Sequence, residues 1–306
     1  MGYKRAGFEV LGCVEIDPAI NAMYQRNLHT KYNFLMDLRE FNKLEEIPEE
    51  LIGIDILDGS PPCTSFSFAG KRDETWGKEK VFREGQARQT LDDLFFVFLD
   101  TVEKLKPKVV IAENVNGLIK GKAKGYVHEI VGRFRELGYA VQLFQLNSAF
   151  MDVPQARHRV FFVATRERKP PLKLSFSNDI IPFGKVRTES GVPLNEGTVL
   201  KSLADAAIEG EHRLLDVAKR IAGEDTKYYT TYLIWDNDVC GTVTSSCRHV
   251  RGADRTFLSD EDIRRVQSFP ADYDFCGNDP AYVCGMSVPP NMMANIATEV
   301  YNQWLK

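Results

Sequence analysis

The segment DGSPPCTSFSFAGKR, residues 58–72, presents a cysteine directly after two prolines. A short apolar run ending at Leu57 predicts a buried strand upstream, and Cys63 lies just beyond its end. Ligands of open parallel sheets bind beyond the carboxyl ends of the strands. Pro61 and Pro62 restrict the backbone and would hold the thiol in one place, as a nucleophile requires. The alternative is a buried, inert cysteine, which is a common fate for this residue.

Three further segments carry residues suited to chemistry. Glu113 directly follows an apolar run, where a carboxylate can take part in proton transfer; the alternative is a helix or turn cap. Arg157 and Arg159 are two positions apart on an extended segment, so both would point toward one anion or base edge; the alternative is a solvated charge run. The sequence GMSVPP at 285–290 predicts a tight turn before the last helix.

Alternating strands and helices would position these residues. The predicted strands are 8–16, 54–57, 109–112, 140–146 and 160–164, and the predicted helices are 18–28, 90–105, 124–137 and 291–305, with a further helix starting near 259–262. This alternation predicts an α/β fold with a mostly parallel sheet and helices on both faces. From about residue 167 to 252 the pattern becomes irregular with short β-like runs, which predicts a small separate unit.

Composition narrows the functional classes. A net charge of −4 and a pI near 5.8 argue against a general polybasic nucleic-acid binder, but they allow a local basic cleft. Six cysteines without a CxxC pair do not fit a disulfide framework or a zinc site. The chain has no apolar run of about 18 residues and no signal peptide. A protein of the reducing cytosol is therefore expected.

Taken in order, these segments resemble the motifs of the DNA (cytosine-5) methyltransferase family. The motifs are the Pro-Cys loop, Glu-Asn-Val at 113–115, Gln-x-Arg-x-Arg at 155–159, a helix within 255–270, and Gly-x-Ser-Val-Pro-Pro at 285–290. The resemblance covers nearly the whole chain. It implies a Rossmann-like, S-adenosylmethionine-dependent methyltransferase fold. The implied domains are a catalytic domain at 1–166, an irregular, β-rich target-recognition domain at 167–252, and a C-terminal segment at 253–306 that returns to the catalytic domain.

The resemblance also implies a reaction. A cytosine flipped out of double-stranded DNA would be methylated at C5 with a methyl group from S-adenosylmethionine. The thiolate of Cys63 would add to C6, since a neutral thiol is too weak a nucleophile. Glu113 would bond N3 and the amino edge of the base. Arg157 and Arg159 would hold the base and a nearby phosphate, with Arg159 able to bond O2.

Binding residues follow from the same resemblance. The cofactor contacts are Glu15 to the ribose hydroxyls, Ile16 on one face of the adenine, and Asp37, Leu38, Leu94, Ser287 and Val288 around it. The DNA contacts are Lys71 and Arg72 in a loop at 66–88, and Arg248, His249 and Arg251 in the recognition domain. S-adenosyl-L-homocysteine would be the product, and no metal is implied. Without the family, solvated strand ends would be the preferred interpretation of the acids, and an ordinary exposed loop is the alternative for 66–88.

The chain departs from the family pattern in three places. The family's first strand and its glycine-rich cofactor loop should precede Met1, because 1–8 already matches the helix that follows them. A sheet without that central strand would be split. A start codon further upstream, a second polypeptide, or a decayed gene would each explain this. In addition, Thr64 and Met286 replace the usual glutamine and asparagine.

Three functions remain open. The first is a prokaryotic or phage modification methyltransferase in the cytoplasm, with a cognate restriction endonuclease as a further partner. The second is a tRNA cytosine-5 methyltransferase, against which the size of 167–252 argues. The third is a catalytically silent DNA-binding or regulatory protein. Four intact residues argue against the third function: Cys63, Glu113, Arg157 and Arg159.

Overall fold

The computed structural model describes residues 1–61, 93–119, 124–223 and 231–306. These residues form two compact units, each built from separate stretches of the chain. Unit 1 comprises Met1–Phe8, Asn147–Arg157 and Ser175–Ala297, and unit 2 comprises Glu9–Leu146, His158–Leu174 and Thr298–Lys306. The functional domain boundaries expected near 166 and 252 remain a prediction.

The helices and strands alternate through the first half of the chain. In chain order the helices are α1 (Gly2–Arg5), α2 (Pro18–Leu28), α3 (Leu38–Lys43), α4 (Leu94–Leu105), α5 (Lys124–Glu136), α6 (Val199–Asp205), α7 (Leu214–Ala222), α8 (Asp260–Val266), α9 (Pro280–Met286) and α10 (Pro290–Val300). The strands are β1 (Gly12–Glu15), β2 (Tyr32–Leu35), β3 (Ile56–Gly59), β4 (Val109–Val115), β5 (Ala140–Asn147), β6 (His158–Thr165), β7 (Val192–Pro193), β8 (Leu233–Ile234), β9 (Val250–Arg251) and β10 (Thr256–Phe257). The α/β class is therefore confirmed.

Unit 2 contains two sheets among the described residues. One has four strands in the order β3-β4-β6-β5, and the other consists of β1 and β2. β3 runs parallel to β4, whereas β4 and β6 are antiparallel, so the four-stranded sheet is mixed rather than mostly parallel. β1 and β2 are parallel to each other. β1 and β3 each have one edge with no described strand beside it.

The core of unit 2 lies on the two central strands. Val109 to Ala112 of β4 and Val160 to Thr165 of β6 are buried on both faces of the sheet, as the continuous apolar runs predict. α4 and α5 cover one face with aromatic and aliphatic side chains. At the end of β3 a Cβ on Gly59 would come within 2.4 Å of the Phe98 ring. Glycine at this position therefore lets α4 pack directly against the strand that leads to Pro61.

Unit 1 contains a small sheet of two-residue strands, in the order β7-β10-β9-β8. The expectation of short β-like runs for 167–252 was incomplete, because two helices lie in this stretch. The side chain of Thr198 caps α6 by accepting from the Lys201 amide, and Gly223 ends α7 with φ of +67°. Both helices are short, and they bury one face against Leu233 and Val250 of the small sheet.

The last helices differ from their predicted bounds. α8 begins after Ser259, which forms a capping box with Asp262, so the predicted start was right. The helix within 255–270 is shorter than expected because Thr256 and Phe257 pair with β7 and β9. Gly285 and Met286 complete α9, so only Ser287 and the residues after it form the connection to α10. None of the helices in the described ranges combines the length and apolar character needed to cross a membrane.

Candidate active site

Glu113 and Arg159 form an ion pair at the end of the central strands. Arg159 Nε lies 2.8 Å from Glu113 Oε1. Glu113 is opposite Phe161, and Arg159 is opposite Val115, so the two charged residues are diagonal neighbours on one face of the sheet. Their side chains are 13% and 15% exposed, respectively, which leaves both within reach of a ligand. Arg159 also donates to the carbonyl of His158, which fixes its guanidinium further.

Asn114 connects β4 to the start of the Pro-Cys segment. Its Nδ2 donates to the carbonyl oxygen of Pro61 at 3.1 Å, in a buried position, while its Oδ1 accepts from the Val115 amide. Because Val115 N can only donate, the amide orientation is determined. Cys63, two residues beyond Pro61, lies outside the described residues. The structure thus fixes the segment that leads into Cys63 against β4, at the residue that follows Glu113, within unit 2.

Arg157 has a different environment from Arg159. It is 3% exposed, and it donates to the carbonyl oxygens of Val243 at 2.9 Å and Gly285 at 2.8 Å. The structure does not bring the two arginines to a common partner, contrary to the expectation from their spacing. Arg157 instead joins two backbone segments of unit 1. This placement argues against a role in holding the base or phosphate directly.

The predicted ribose and adenine contacts follow two adjacent parallel strands. Glu15 ends β1, and its Oε1 accepts from the Asp17 amide at 2.8 Å, which orients the carboxylate. Asp37 follows β2 and caps α3 by accepting from the Arg39 amide at 2.7 Å. Ile16 directly follows Glu15. Because β1 and β2 are paired in register from Gly12 to Glu15, these residues lie at the same edge of their sheet.

Leu38 and Leu94 pack together, and their expected contact with the cofactor stays a prediction. Leu38 packs against a small apolar cluster made by Leu94 and Val97 at the start of α4. Leu94 and Val97 are each 9% exposed, so the partly buried Leu38 supplies most of the accessible apolar surface of the cluster. Ser287 and Val288 belong to unit 1. The hydroxyl of Ser287 donates to the carbonyl of Val283 at 2.6 Å, so it is engaged within α9.

The predicted DNA contacts fall into three groups. Lys71 and Arg72 lie outside the described residues. Arg248 is exposed, as a phosphate contact requires. His249 is 5% exposed, its Nε2 lies 3.1 Å from the Thr242 carbonyl oxygen, and burial lowers its pKa. Its neutral, enclosed ring fits the core better than a DNA interface.

Arg251 does not lie on the surface. Its side chain is fully buried, and it pairs with Asp254 at 2.7 Å and with Asp262 at 3.3 Å. It also donates to the carbonyl of Thr188 at 3.1 Å. The guanidinium has no exposed surface and is held by these carboxylates and the carbonyl, and the expected DNA contact of Arg251 stays a prediction. Arg251 connects β9 to the N-terminal turn of α8.

Two buried polar residues, one in each unit, had no role assigned from the sequence. Asn114 is part of the Glu-Asn-Val motif, and its position beside Glu113 was the available signal. Gln267 is completely buried at the end of α8 and bonds the backbone on both sides of Gly285. A buried glutamine between Val266 and Phe269 gives little signal in a sequence, because helix ends commonly carry exposed glutamine. Within the described residues, no group of three His, Cys, Asp or Glu side chains could hold a metal ion.

Comparison with known families shows the family to which this chain belongs. The model of the C-5 cytosine-specific DNA methylase family matches residues 1–238. The chain belongs to this family. It is therefore a DNA (cytosine-5) methyltransferase by descent, and the ordered motifs at 113–115 and 155–159 lie within the matched region.

Several named relatives are type II methyltransferases of bacteria. The type II methyltransferase M1.HphI of Haemophilus parahaemolyticus is 28% identical over 98% of this chain and 82% of its own length. The type II methyltransferase M.NgoMIV of Neisseria gonorrhoeae is 29% identical over 98% of this chain and 92% of its own length. The type II methyltransferase M.NgoPII of Neisseria gonorrhoeae is 32% identical over 68% of this chain. The matched region spans 54% of the length of M.NgoPII.

Solved structures share the fold at low identity. Spodoptera frugiperda DNMT2, solved as a mutant, has a TM-score of 0.65 at 14% identity and covers 98% of this chain and 95% of its own. The Dnmt2 methyltransferase of S. pombe has a TM-score of 0.59 at 12% identity, and the match covers 98% of this chain and 94% of the S. pombe chain. These likenesses establish the methyltransferase fold, and with it the class expected from the sequence.

Membership of the family implies S-adenosylmethionine as cofactor, and residues of unit 2 fit parts of that molecule. An oriented carboxylate at the end of β1 suits the two ribose hydroxyls, which can both donate to Glu15. The apolar cluster of Leu38, Leu94 and Val97 suits an edge of the adenine ring. When bound, the cofactor supplies an electrophilic methyl group on a sulfonium centre.

Proposed function

We propose that this chain methylates C5 of a cytosine flipped out of double-stranded DNA, using S-adenosylmethionine and a covalent bond from Cys63 to C6. The observation that carries the proposal is that neighbouring residues of β4 make the Glu113–Arg159 ion pair and anchor the Pro61 carbonyl through Asn114. A paired carboxylate and guanidinium, slightly exposed at a strand end, match the polar edge of a cytosine. The cysteine that follows Pro61 supplies the nucleophile.

The proposed steps use this chain's own groups. The Cys63 thiolate adds to C6, and the electrons of the C5–C6 double bond make C5 nucleophilic. Glu113, carrying a proton, donates to N3 and accepts from the exocyclic amino group, which neutralises the negative charge that develops on the ring. Arg159 holds Glu113 in place and is able to bond O2. After C5 has taken the methyl group, its proton passes to a solvent water, N3 returns its proton to Glu113, and the thiolate is expelled. These steps restore the aromatic ring, with S-adenosyl-L-homocysteine as the second product.

Arg157 is proposed to act as a scaffold for the site. Its two hydrogen bonds to Val243 O and Gly285 O hold backbone segments on either side of it. A buried charge satisfied by carbonyl oxygens is costly to disturb, because both carbonyls would lose their donor. The catalytic set is then Cys63, Glu113 and Arg159, with Arg157 acting through the backbone.

The cofactor site is proposed to include Glu15, Ile16, Asp37, Leu38, Leu94, Ser287 and Val288. We further propose that a strand and a glycine-rich loop complete the site beside β1 and β3, whose neighbouring edges carry no described strand. A second polypeptide would be a source of such a strand. Backbone amides of a glycine-rich loop can approach a ligand closely.

DNA contacts are proposed for Arg248 and, on the 66–88 loop, for Lys71 and Arg72. Arg248 is exposed beside the buried His249, so the core fixes its backbone while its side chain stays accessible. The bacterial type II relatives support a modification role in a prokaryotic cytoplasm, with a cognate restriction endonuclease as a further partner. The chain's net charge of −4 confines the attraction for DNA to such local groups.

The first test is calorimetric titration of S-adenosylmethionine into residues 1–306. Tight binding by these residues alone would overturn the completing strand. The second test is transfer of a labelled methyl group to unmethylated genomic DNA and to tRNA, followed by bisulfite sequencing of the DNA. We expect methylation of DNA by the active form, and none by Cys63→Ser. Methylation of tRNA alone, or no transfer by a folded chain that binds the cofactor, would contradict the proposal.

A further inference from the structure

A chain of side-chain amides crosses the interior of unit 1. Gln155 and Gln267 are both fully buried. Gln155 Nε2 donates to Gln267 Oε1, and Gln155 Oε1 accepts from the Val243 amide at 3.0 Å. Gln267 Nε2 donates to the carbonyl of Cys284 at 2.7 Å and to that of Ser287 at 2.9 Å. The two side chains thus connect the backbone at Val243 to the backbone on both sides of Gly285.

The direction of every bond in this chain is determined. The Val243 amide can only donate, and the Cys284 and Ser287 carbonyls can only accept. Gln155 must therefore present its oxygen to Val243 and its nitrogen to Gln267. Gln267 must present its oxygen to Gln155 and its nitrogen to the two carbonyls. A residue of the same shape that lacks the NH2 group cannot replace it without leaving two buried carbonyls unpaired.

Close backbone packing occurs at the same place. A Cβ on Gly285 would come within 2.2 Å of Ser245 N and of Thr244 C, so the backbone at Gly285 lies directly against this segment. Arg157 adds a second bridge, from Val243 O to Gly285 O. Three side chains and one glycine therefore hold 243–245 and 284–287 together. The first segment belongs to the expected recognition domain, and the second contains an expected cofactor contact.

We propose that Gln267 is a positioning residue that sets the backbone of Ser287 and Val288 for the cofactor. This rests on the function proposed above, in which those two residues contact S-adenosylmethionine. Gln267 does not touch a reacting atom. It holds both the Cys284 and Ser287 carbonyls through one nitrogen, so a shift of either carbonyl breaks a bond. Through Gln155, the same hydrogen-bonded amides link the backbone at Ser287 to the backbone amide of Val243.

The proposal is tested with Gln267→Glu and Gln267→Met, and with Gln142→Glu as a matched control. Glutamate has the same shape but turns an acceptor toward two carbonyl oxygens, whereas methionine removes the donors without adding repulsion. Gln142 also bonds a loop through its amide, to Leu172 N and O, but it lies in unit 2 away from this amide chain. We expect both Gln267 variants to raise the KM for S-adenosylmethionine at least tenfold. We also expect kcat at saturating cofactor to change less than threefold, and the control variant to retain its KM.

Hydrogen exchange on the wild-type chain provides a measurement that does not depend on the variants folding. Cofactor binding should slow exchange of the amides at 284–288. An active wild-type chain with no such protection, or a folded Gln267→Glu chain with unchanged KM, would overturn the positioning role and leave the proposed function standing. A purely structural role for Gln267 would lower the melting temperature and the active fraction without the selective change in KM. A wild-type chain that neither binds cofactor nor transfers methyl groups would overturn both proposals.

Discussion

The side-chain amide of Asn114 holds the carbonyl oxygen of Pro61 at 3.1 Å, and both residues are buried. Asn114 lies next to Glu113 in β4, and Pro61 precedes the proposed nucleophile by two positions. One hydrogen bond thereby ties the entry of the Pro-Cys segment to the strand that carries the proposed acid. Proline has no amide hydrogen, so its carbonyl is the group through which this backbone is held.

Replacing Asn114 with alanine should therefore affect catalysis more than cofactor binding. The change leaves the buried Pro61 carbonyl without its donor, which costs about 1–3 kcal/mol of stability. A displaced nucleophile lowers kcat by about 100-fold, because reacting groups tolerate little misplacement. Single-turnover methyl transfer measures this effect, and calorimetry on the same variant measures the cofactor affinity, which should stay within about twofold.

Asn116 provides the matched control for that prediction. It follows β4 by one residue, and its Oδ1 accepts from Gln145 at 2.8 Å in an exposed position. Asn116→Ala removes a comparable hydrogen bond away from Pro61, so it should leave kcat nearly unchanged. Equal losses in the two variants would show that the Asn114–Pro61 bond has no special role.

The Glu113→Gln variant separates charge from shape at the ion pair. Glutamine keeps the side-chain length but removes the carboxyl that pairs with Arg159 and would donate a proton to N3 of the base. We expect kcat to fall by about 100-fold or more, with DNA affinity largely kept. The control is Asp55→Asn, which breaks the exposed Lys108–Asp55 ion pair at 2.8 Å. Its free energy of unfolding should fall by less than about 1 kcal/mol, and its kcat should stay near that of wild type. A Glu113→Gln chain with near wild-type kcat would exclude Glu113 as the catalytic acid.

Much of unit 2 could be predicted from the sequence because its strands are buried on both faces. The apolar runs at 109–112 and 160–164 have few alternatives, and Pro18 starts α2 where predicted. The two short helices of 167–252 were missed because helices of this length are stabilised by tertiary contacts more than by local signals. The direction of β6 was missed for a related reason, since strand polarity depends on the path of the chain between strands.

Site residues could be predicted by type better than by environment. Glu113 and Arg159 were expected to act together, and they form an ion pair. Arg157 and Arg251 were expected at a ligand, but both are buried and bonded within the protein. An arginine in a sequence has the same appearance in either case. What distinguishes them is whether carbonyl or carboxylate oxygens from distant residues enclose the guanidinium, and no local pattern specifies that.

Arg248→Ala tests which of these arginines reaches DNA. Losing one phosphate contact should weaken binding about equally for all DNA sequences and reduce the slope of log K against log salt by about 0.9. Fluorescence anisotropy at several salt concentrations measures both quantities. Arg135→Ala, at an exposed position near the end of α5, is the control and should leave the slope unchanged. An unchanged slope for Arg248→Ala would remove this residue from the proposed interface.

The acid dependence of stability should have a contribution from Glu261 in α8. Hydrogen bonds from Arg264, and then from Arg265, lower the pKa of this carboxyl from 4.5 to about 2. A carboxyl with a lowered folded-state pKa stabilises the fold above its unfolded pKa, and the contribution is lost as pH falls from about 4.5 toward 2. Because Glu261 is 40% exposed, solvent screening limits the effect to less than about 1 kcal/mol. Urea unfolding at pH 6.5, 4.5 and 3.5 should show wild type more stable than Glu261→Gln, by a margin that shrinks with acidification. Glu209→Gln, at an exposed position, is the control and should show no such trend. A stability difference between wild type and Glu261→Gln that grows at low pH would mean that the charged form of Glu261 does not stabilise α8.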